Sequence, residues 1–247
     1  MCIFTSEIKS VGDTRIFARQ DVNRQAVVYD MYLSTEFATA MVLPVPVASL
    51  SDDEKVEFID LSTYPDFFDD IENMFPQWMS ASIESYDSRG SDLIEVQEIG
   101  VYEASFVPTP NDFKRLDPRF SLNSDFFEQV PEYSNYGFVV FKLKPGESQV
   151  HPMAFWFHKE NDSKLFFPTK HMHDGIVHSR DHYNHTLYAQ GNFTDNLSLE
   201  IISLKYNLEK VSNISKKSFG LVCEDTVVCK RVVNGENKNE DIWLQVK

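Results

Sequence analysis

The apolar residues of this chain fall in short runs that alternate or stay unbroken over a few positions, and this pattern restricts the fold to a sheet-rich one. Gln25–Tyr32, Ala40–Val45 and Phe138–Leu143 are such runs, rich in Val, Phe, Tyr and Met and bounded by turn residues. Segments of that length and composition read as strands, because an amphipathic helix needs a longer run with a 3.6-residue period. Ile3–Ile8, Thr14–Ala18, Gln25–Tyr32 and Ala40–Val45 predict an opening meander, ended by Pro44-Val45-Pro46. Val56–Leu61 follows as a short strand. The clearest helix then has Pro65 at its first position and an apolar stripe of Phe67, Phe68, Ile71, Met74 and Phe75. Asp66, Asp69 and Asp70 lie in its first two turns and suit the positive end of the helix dipole. Leu93–Ile99, Val101–Val107, Leu197–Tyr206, Phe219–Cys223, Val227–Val233 and Ile242–Val246 read as further strands, with short helical or turn pieces at Asn111–Leu116 and Ser124–Gln129. The expectation is one α+β domain over residues 1–247, dominated by antiparallel sheet with a few short helices.

The 247 residues permit one large domain or two small ones, and 42% apolar residues with 20 Phe supply a dry core. The net charge of −15 is concentrated. Residues 45–135 hold 20 Asp and Glu against 5 Lys and Arg, which is the whole excess. An acidic body argues against binding a phosphate backbone, so no nucleic acid is expected. It suits either a basic partner or a solvated acidic face. No stretch reaches the roughly 18 apolar residues of a membrane span, and the start lacks a basic region followed by an apolar one. The chain reads as soluble and cytoplasmic, and its Asn184-His185-Thr186 and Asn192-Phe193-Thr194 sequons then carry no glycosylation. Three cysteines fit a reducing compartment. Cys223 and Cys229 are too far apart for a CxxC motif and read as core residues.

All seven histidines lie between His151 and His185. Imidazole ligates metals and transfers protons near neutral pH, so this crowding is the sharpest functional signal in the chain. Asp174-Gly175 predicts a tight hairpin, which would oppose His171 to His178 and put His173 on the same face. Three imidazoles so placed can close on one ion at about 2.0–2.1 Å per nitrogen and leave positions for water or substrate. His171, His173 and His178 are the candidate ligands, for zinc or another divalent transition metal. Met153–His158 and Lys164–Pro168 would complete a three-stranded meander with that hairpin. Asp181–Tyr188 reads as a helix or as a further strand, and only the helix puts His182 and His185 on one side. The same histidines read alternatively as surface or hydrogen-bonded residues.

The chain opens Met1-Cys2-Ile3-Phe4. Loss of Met1 would leave Cys2 with its thiol beside a free amine, a nucleophile with a built-in base. With Arg19 and Asp21 ending a following strand, the first 20 or so residues resemble N-terminal-nucleophile amidohydrolases of the choloylglycine type. That resemblance implies a hairpin returning Arg19 and Asp21 to Cys2. Here the two are two apart, where the family usually has three. Taken as a set, Thr14–Arg19, Ala40–Pro46, Tyr64–Phe68, Gly137–Lys142, His151–Phe155 and Leu165–His173 with Asp174-Gly175 resemble a bacterial family of unknown function over residues 1–190. That resemblance implies one domain and points to no known activity.

Three functions are compatible with these readings. The first is a metal-binding protein or metal-dependent hydrolase using the His cluster. The second is an amidohydrolase using Cys2, Arg19 and Asp21. The third is a non-catalytic interaction or structural protein with a small-molecule or protein partner.

Overall fold

A computed structural model describes residues 2–48, 56–75, 103–122, 124–159, 163–193, 200–202 and 208–246. In chain order the strands are β1 (Cys2–Phe4), β2 (Ser10–Asp21), β3 (Arg24–Thr35), β4 (Thr39–Val45), β5 (Glu57–Asp60), β6 (Ala104–Val107), β7 (Gly137–Leu143), β8 (Gly146–His158), β9 (Lys164–Phe167), β10 (His171–Met172), β11 (Arg180–Gln190), β12 (Glu200–Ile202), β13 (Val228–Lys238) and β14 (Ile242–Gln245). The α-helices are α1 (Phe67–Glu72), α2 (Ser124–Gln129) and α3 (Leu208–Lys217). Five strands form one sheet in the order β10-β1-β4-β7-β6, and seven form another in the order β12-β13-β11-β2-β3-β8-β5. β9 and β14 make a small antiparallel pair. The α+β, sheet-dominated expectation holds, with two parallel pairings inside otherwise antiparallel sheets: β1 with β10 and β11 with β2.

Burial explains why so many strands are apolar at successive positions. In β3, Val27, Tyr29 and Met31 face the core between the two large sheets, while Ala26 and Val28 face the layer containing α1 and α3. Side chains alternate across a strand, so a strand covered on both faces has no position free for solvent. Phe67, Phe68 and Ile71 of α1 and Val211 and Ile214 of α3 cover the second face. Asp30 is fully buried within β3 and accepts from Arg15 of β2 at 3.0 Å (Nε to Oδ1) and 2.7 Å (Nη2 to Oδ2). The same guanidinium lies 5.1 Å from the Phe68 ring centroid and pairs with Asp69, which ties the sheet to the first turn of α1.

Several local expectations are corrected. The opening strands do not form one meander: β2 and β3 are a hairpin in the seven-stranded sheet, whereas β1 and β4 pair in the five-stranded one. β3 already has β2 on one edge and β8 on the other, which leaves no edge for β4. Likewise β8 is flanked by β3 and β5, so β9 turns away and pairs with β14. Phe219–Cys223 is not a strand. Phe219 (φ 54°) and Gly220 (φ 76°) reverse the chain after α3, where the Gly220 N–H donates to the Ser215 carbonyl at 2.8 Å. Helix α3 itself was not expected. The expected strand Leu93–Ile99 lies outside the described residues, as does most of Leu197–Tyr206.

Candidate functional site

The His-rich segment is held by side chains that imitate a strand. Pro168 interrupts the chain after β9, and the next residues run along the end of the β13–β14 connection. Half-buried Asp241 accepts the Thr169 and Lys170 N–H groups at 2.8 and 3.0 Å and the Tyr133 hydroxyl at 2.6 Å. Desolvation raises the pKa of its carboxyl. Asn239 accepts the His171 N–H at 2.6 Å and donates to the carbonyls of His171 and His178, each at 2.9 Å. One carboxamide thus satisfies both peptide groups of His171 as a neighbouring strand would. On the opposite edge His171 pairs with Cys2 of β1.

This clamp is why the expected 171–178 hairpin does not form. Asp174-Gly175 does turn the chain, with Gly175 at φ 83° and the Ile176 N–H donating to the Asp174 side chain at 3.0 Å. The returning residues then meet occupied partners. Asn239 holds His171, and Gln129 at the end of α2 accepts the Val177 N–H at 2.9 Å. His178 is exposed and bonds Asp174 at 3.0 Å, which raises its pKa. It does not join His171 and His173.

The residues that do converge come from β11. Asp181, Tyr183 and His185 are spaced by two on that strand and so share a face, directed at His171. His171 Nε2 lies 3.2 Å from His185 Nε2, and His171 Nδ1 lies 3.8 Å from Asp181 Oδ2. The His171 ring centroid is 4.5 Å from that of Tyr183, 4.9 Å from His185 and 5.0 Å from His173. His171, His173 and Asp181 each offer one ligand atom, all within 4.8 Å of one another, and such a group can hold a metal. Burial lowers the pKa of His171 to about 2 and drives that of His185 well below the ordinary range. His173 is lowered by burial as well. These imidazoles are neutral at pH 7, so the 3.8 Å approach of His171 to Asp181 is not an ion pair. Neutral imidazole is also the form that ligates metals.

The helical alternative for Asp181–Tyr188 is thereby excluded, and His182, which only that alternative sets beside His185, is exposed on the other face of β11. The period-2 series Asp181, Tyr183, His185 was the readable signal for the missing partners. Asn239, remote in sequence, had none.

The nucleophile constellation is not assembled. Cys2 sits on β1 in the five-stranded sheet, whereas Arg19 and Asp21 lie at the far end of β2 in the other. Arg19 donates to the carbonyls of Leu221 (2.8 Å) and Gly220 (2.9 Å) and stacks 4.9 Å from the Trp156 ring centroid. Asp21 approaches Arg24 at 3.6 Å. Both side chains are committed to the α3 side of the molecule. Beside the His group, a cavity of about 390 Å³ is lined by Phe4–Glu7, Ser121, Leu122, Phe126 and Met172–Gly175, which places His173 in its wall. Among the described residues, no helix is long and apolar enough to cross a membrane.

No family model matches the chain. Among solved structures it is similar to the crystal structure of baculovirus P35, with a TM-score of 0.55, 15% identity and 100% of each chain covered. A mutated baculovirus P35 after caspase cleavage gives 0.48 at 11% identity, covering 95% of this chain and 99% of that one. The caspase-8/P35 complex gives 0.46 at 12%, covering 95% and 96%. These similar structures are neither a bacterial family nor an amidohydrolase. The first match shows a likeness of fold running end to end.

Proposed function

We propose that this chain is an interaction protein whose partner is a caspase-type protease. The observation that carries the reading is the end-to-end likeness to baculovirus P35, with neither chain left uncovered. That protein is known in a caspase-8/P35 complex and after caspase cleavage. A protease that cuts after aspartate needs an aspartate on chain it can draw out. Asp30, Asp60, Asp70, Asp112, Asp117, Asp174 and Asp241 are tied by side-chain hydrogen bonds. Active caspase-8, titrated with the purified chain and assayed on a peptide substrate, is expected to lose activity in proportion to the chain added. Unchanged turnover at a large excess would contradict the proposal.

A second reading is favoured by the His171, His173 and Asp181 group: uptake of zinc or another divalent transition ion. It differs from the sequence expectation in one ligand, Asp181 in place of His178. Metal analysis of untagged protein, with His173→Ala as the comparison, tests it. Metal-free protein that gains no stability from micromolar zinc would exclude it. The Cys2 amidohydrolase reading finds no support in the positions of Arg19 and Asp21.

A further inference from the structure

We infer that an ion in the His171–His173–Asp181 group is held by three protein ligands, with a fourth position open to the neighbouring cavity for a small anionic donor, a carboxylate or a thiolate. In this arrangement His185 is a positioning residue that fixes which His171 nitrogen ligates. The inference rests on the metal reading above.

The donor atoms come first. His171 Nδ1 and His173 Nε2 are both buried and have no hydrogen-bond partner among the described residues. Unpartnered polar atoms of this kind are rare, because each forfeits its hydration for nothing in return. Ligands about 2.0–2.2 Å from a tetrahedral ion lie a little over 3 Å apart, so the present separations of up to 4.8 Å must contract. Asp181 is only half-buried, and its carboxylate can rotate inward.

The His185 contact allows two tautomers of His171, and ligation through Nδ1 requires the one in which His171 is the donor. Two neutral imidazoles whose Nε2 atoms are 3.2 Å apart share a single proton there. With His171 as the donor, its Nδ1 carries a bare lone pair facing a carboxylate oxygen at 3.8 Å. Two acceptors facing each other repel unless a cation lies between them. A ligating imidazole whose other N–H is held by an outer partner is the usual arrangement at a metal.

The fourth position follows from what is already occupied. His185 Nε2 is engaged with His171, and the Tyr183 hydroxyl faces Asn239 and the Glu240 carbonyl. No other His, Cys, Asp or Glu whose side chain is described joins the group. His173 forms part of the cavity wall with Phe4–Glu7 and Met172, so the open side faces that cavity. Two neutral imidazoles, one carboxylate and a divalent ion leave one positive charge. A partly buried positive centre takes an anionic donor in preference to a neutral one.

Cobalt(II) added to the full, untagged chain tests this, because its visible absorption reports coordination. The expected result is a tetrahedral spectrum that shifts when acetate or 2-mercaptoethanol is added. His185→Phe should weaken cobalt binding roughly 10-fold or more, and His185→Gln should restore most of it. His182→Phe, on the exposed face of β11, should leave binding unchanged. Failure of the wild-type chain to bind cobalt overturns the metal reading and this inference together. A cobalt spectrum indifferent to both anions overturns the open position while the metal reading stands. Binding unaffected in His185→Phe overturns the positioning role.

Discussion

Lowering the pH from 7.5 to 5 should destabilise this fold through the buried histidines. His171 and His185 are 3% and 2% exposed and are held neutral by burial, with the pKa of His171 at about 2 and that of His185 well below its ordinary value. In the unfolded chain each titrates near 6.5. Above that value both states are neutral and the groups contribute nothing to the pH dependence. Below it the unfolded chain gains a proton that the folded chain refuses, so stability falls by about 1.4 kcal/mol per pH unit per group. At pH 5 the two together cost about 4 kcal/mol, a large part of a typical 5–15 kcal/mol. His173 adds a smaller amount in the same direction. Asp241, raised by burial, titrates in the opposite sense, so the histidine term is best isolated by difference. His185→Gln retains a hydrogen-bonding group beside His171 but binds no proton. Urea unfolding followed by tryptophan fluorescence should give a stability-versus-pH slope between 6.5 and 5 that is shallower in the variant by about 1.4 kcal/mol per unit. Equal slopes in the two proteins would refute the claim that His185 is buried and neutral.

Other outcomes follow from the same contacts. Asn239→Leu removes four hydrogen bonds and strands the peptide groups of His171, at a cost of about 3 kcal/mol in urea unfolding. Asp174→Asn should lower the His178 pKa toward its ordinary value, read by NMR titration, since that side chain is what raises it. Phe67→Ala, which empties a fully buried site between α1 and the sheet, should cost about 3–5 kcal/mol. Arg19→Ala should lose about 1–3 kcal/mol of stability, because its bonds to Leu221 and Gly220 and its stacking on Trp156 are structural. Caspase-8 inhibition by that variant should be unchanged.

What could be read from the sequence was local. Gln25–Tyr32, Ala40–Val45 and Phe138–Leu143 all lie in strands, since a short β-branched and aromatic run has few other uses. Ser124–Gln129, read as a short helical or turn piece, is a helix. Which strand lies beside which was not legible. Pairing depends on edges already taken, as for β3 between β2 and β8, and single-strand patterns carry no record of that. The site shows the same division. The histidine crowding and the Asp174-Gly175 turn were visible, and His171 and His173 do meet. Their true partners sit on β11, and their geometry is set by Asn239, 68 residues from His171. A side chain that substitutes for a strand leaves no periodic trace. His178 was misplaced because the chain bends at Asp174-Gly175 without the hairpin pairing expected behind it.

The most direct test of the proposed role is to incubate the purified chain with active caspase-8 and examine the mixture by gel filtration and intact-mass spectrometry. The account predicts that chain and protease elute together, with the chain cut once after an aspartate and the protease inactive. A chain that elutes alone and intact, or one that is degraded while the protease keeps full activity, would contradict it.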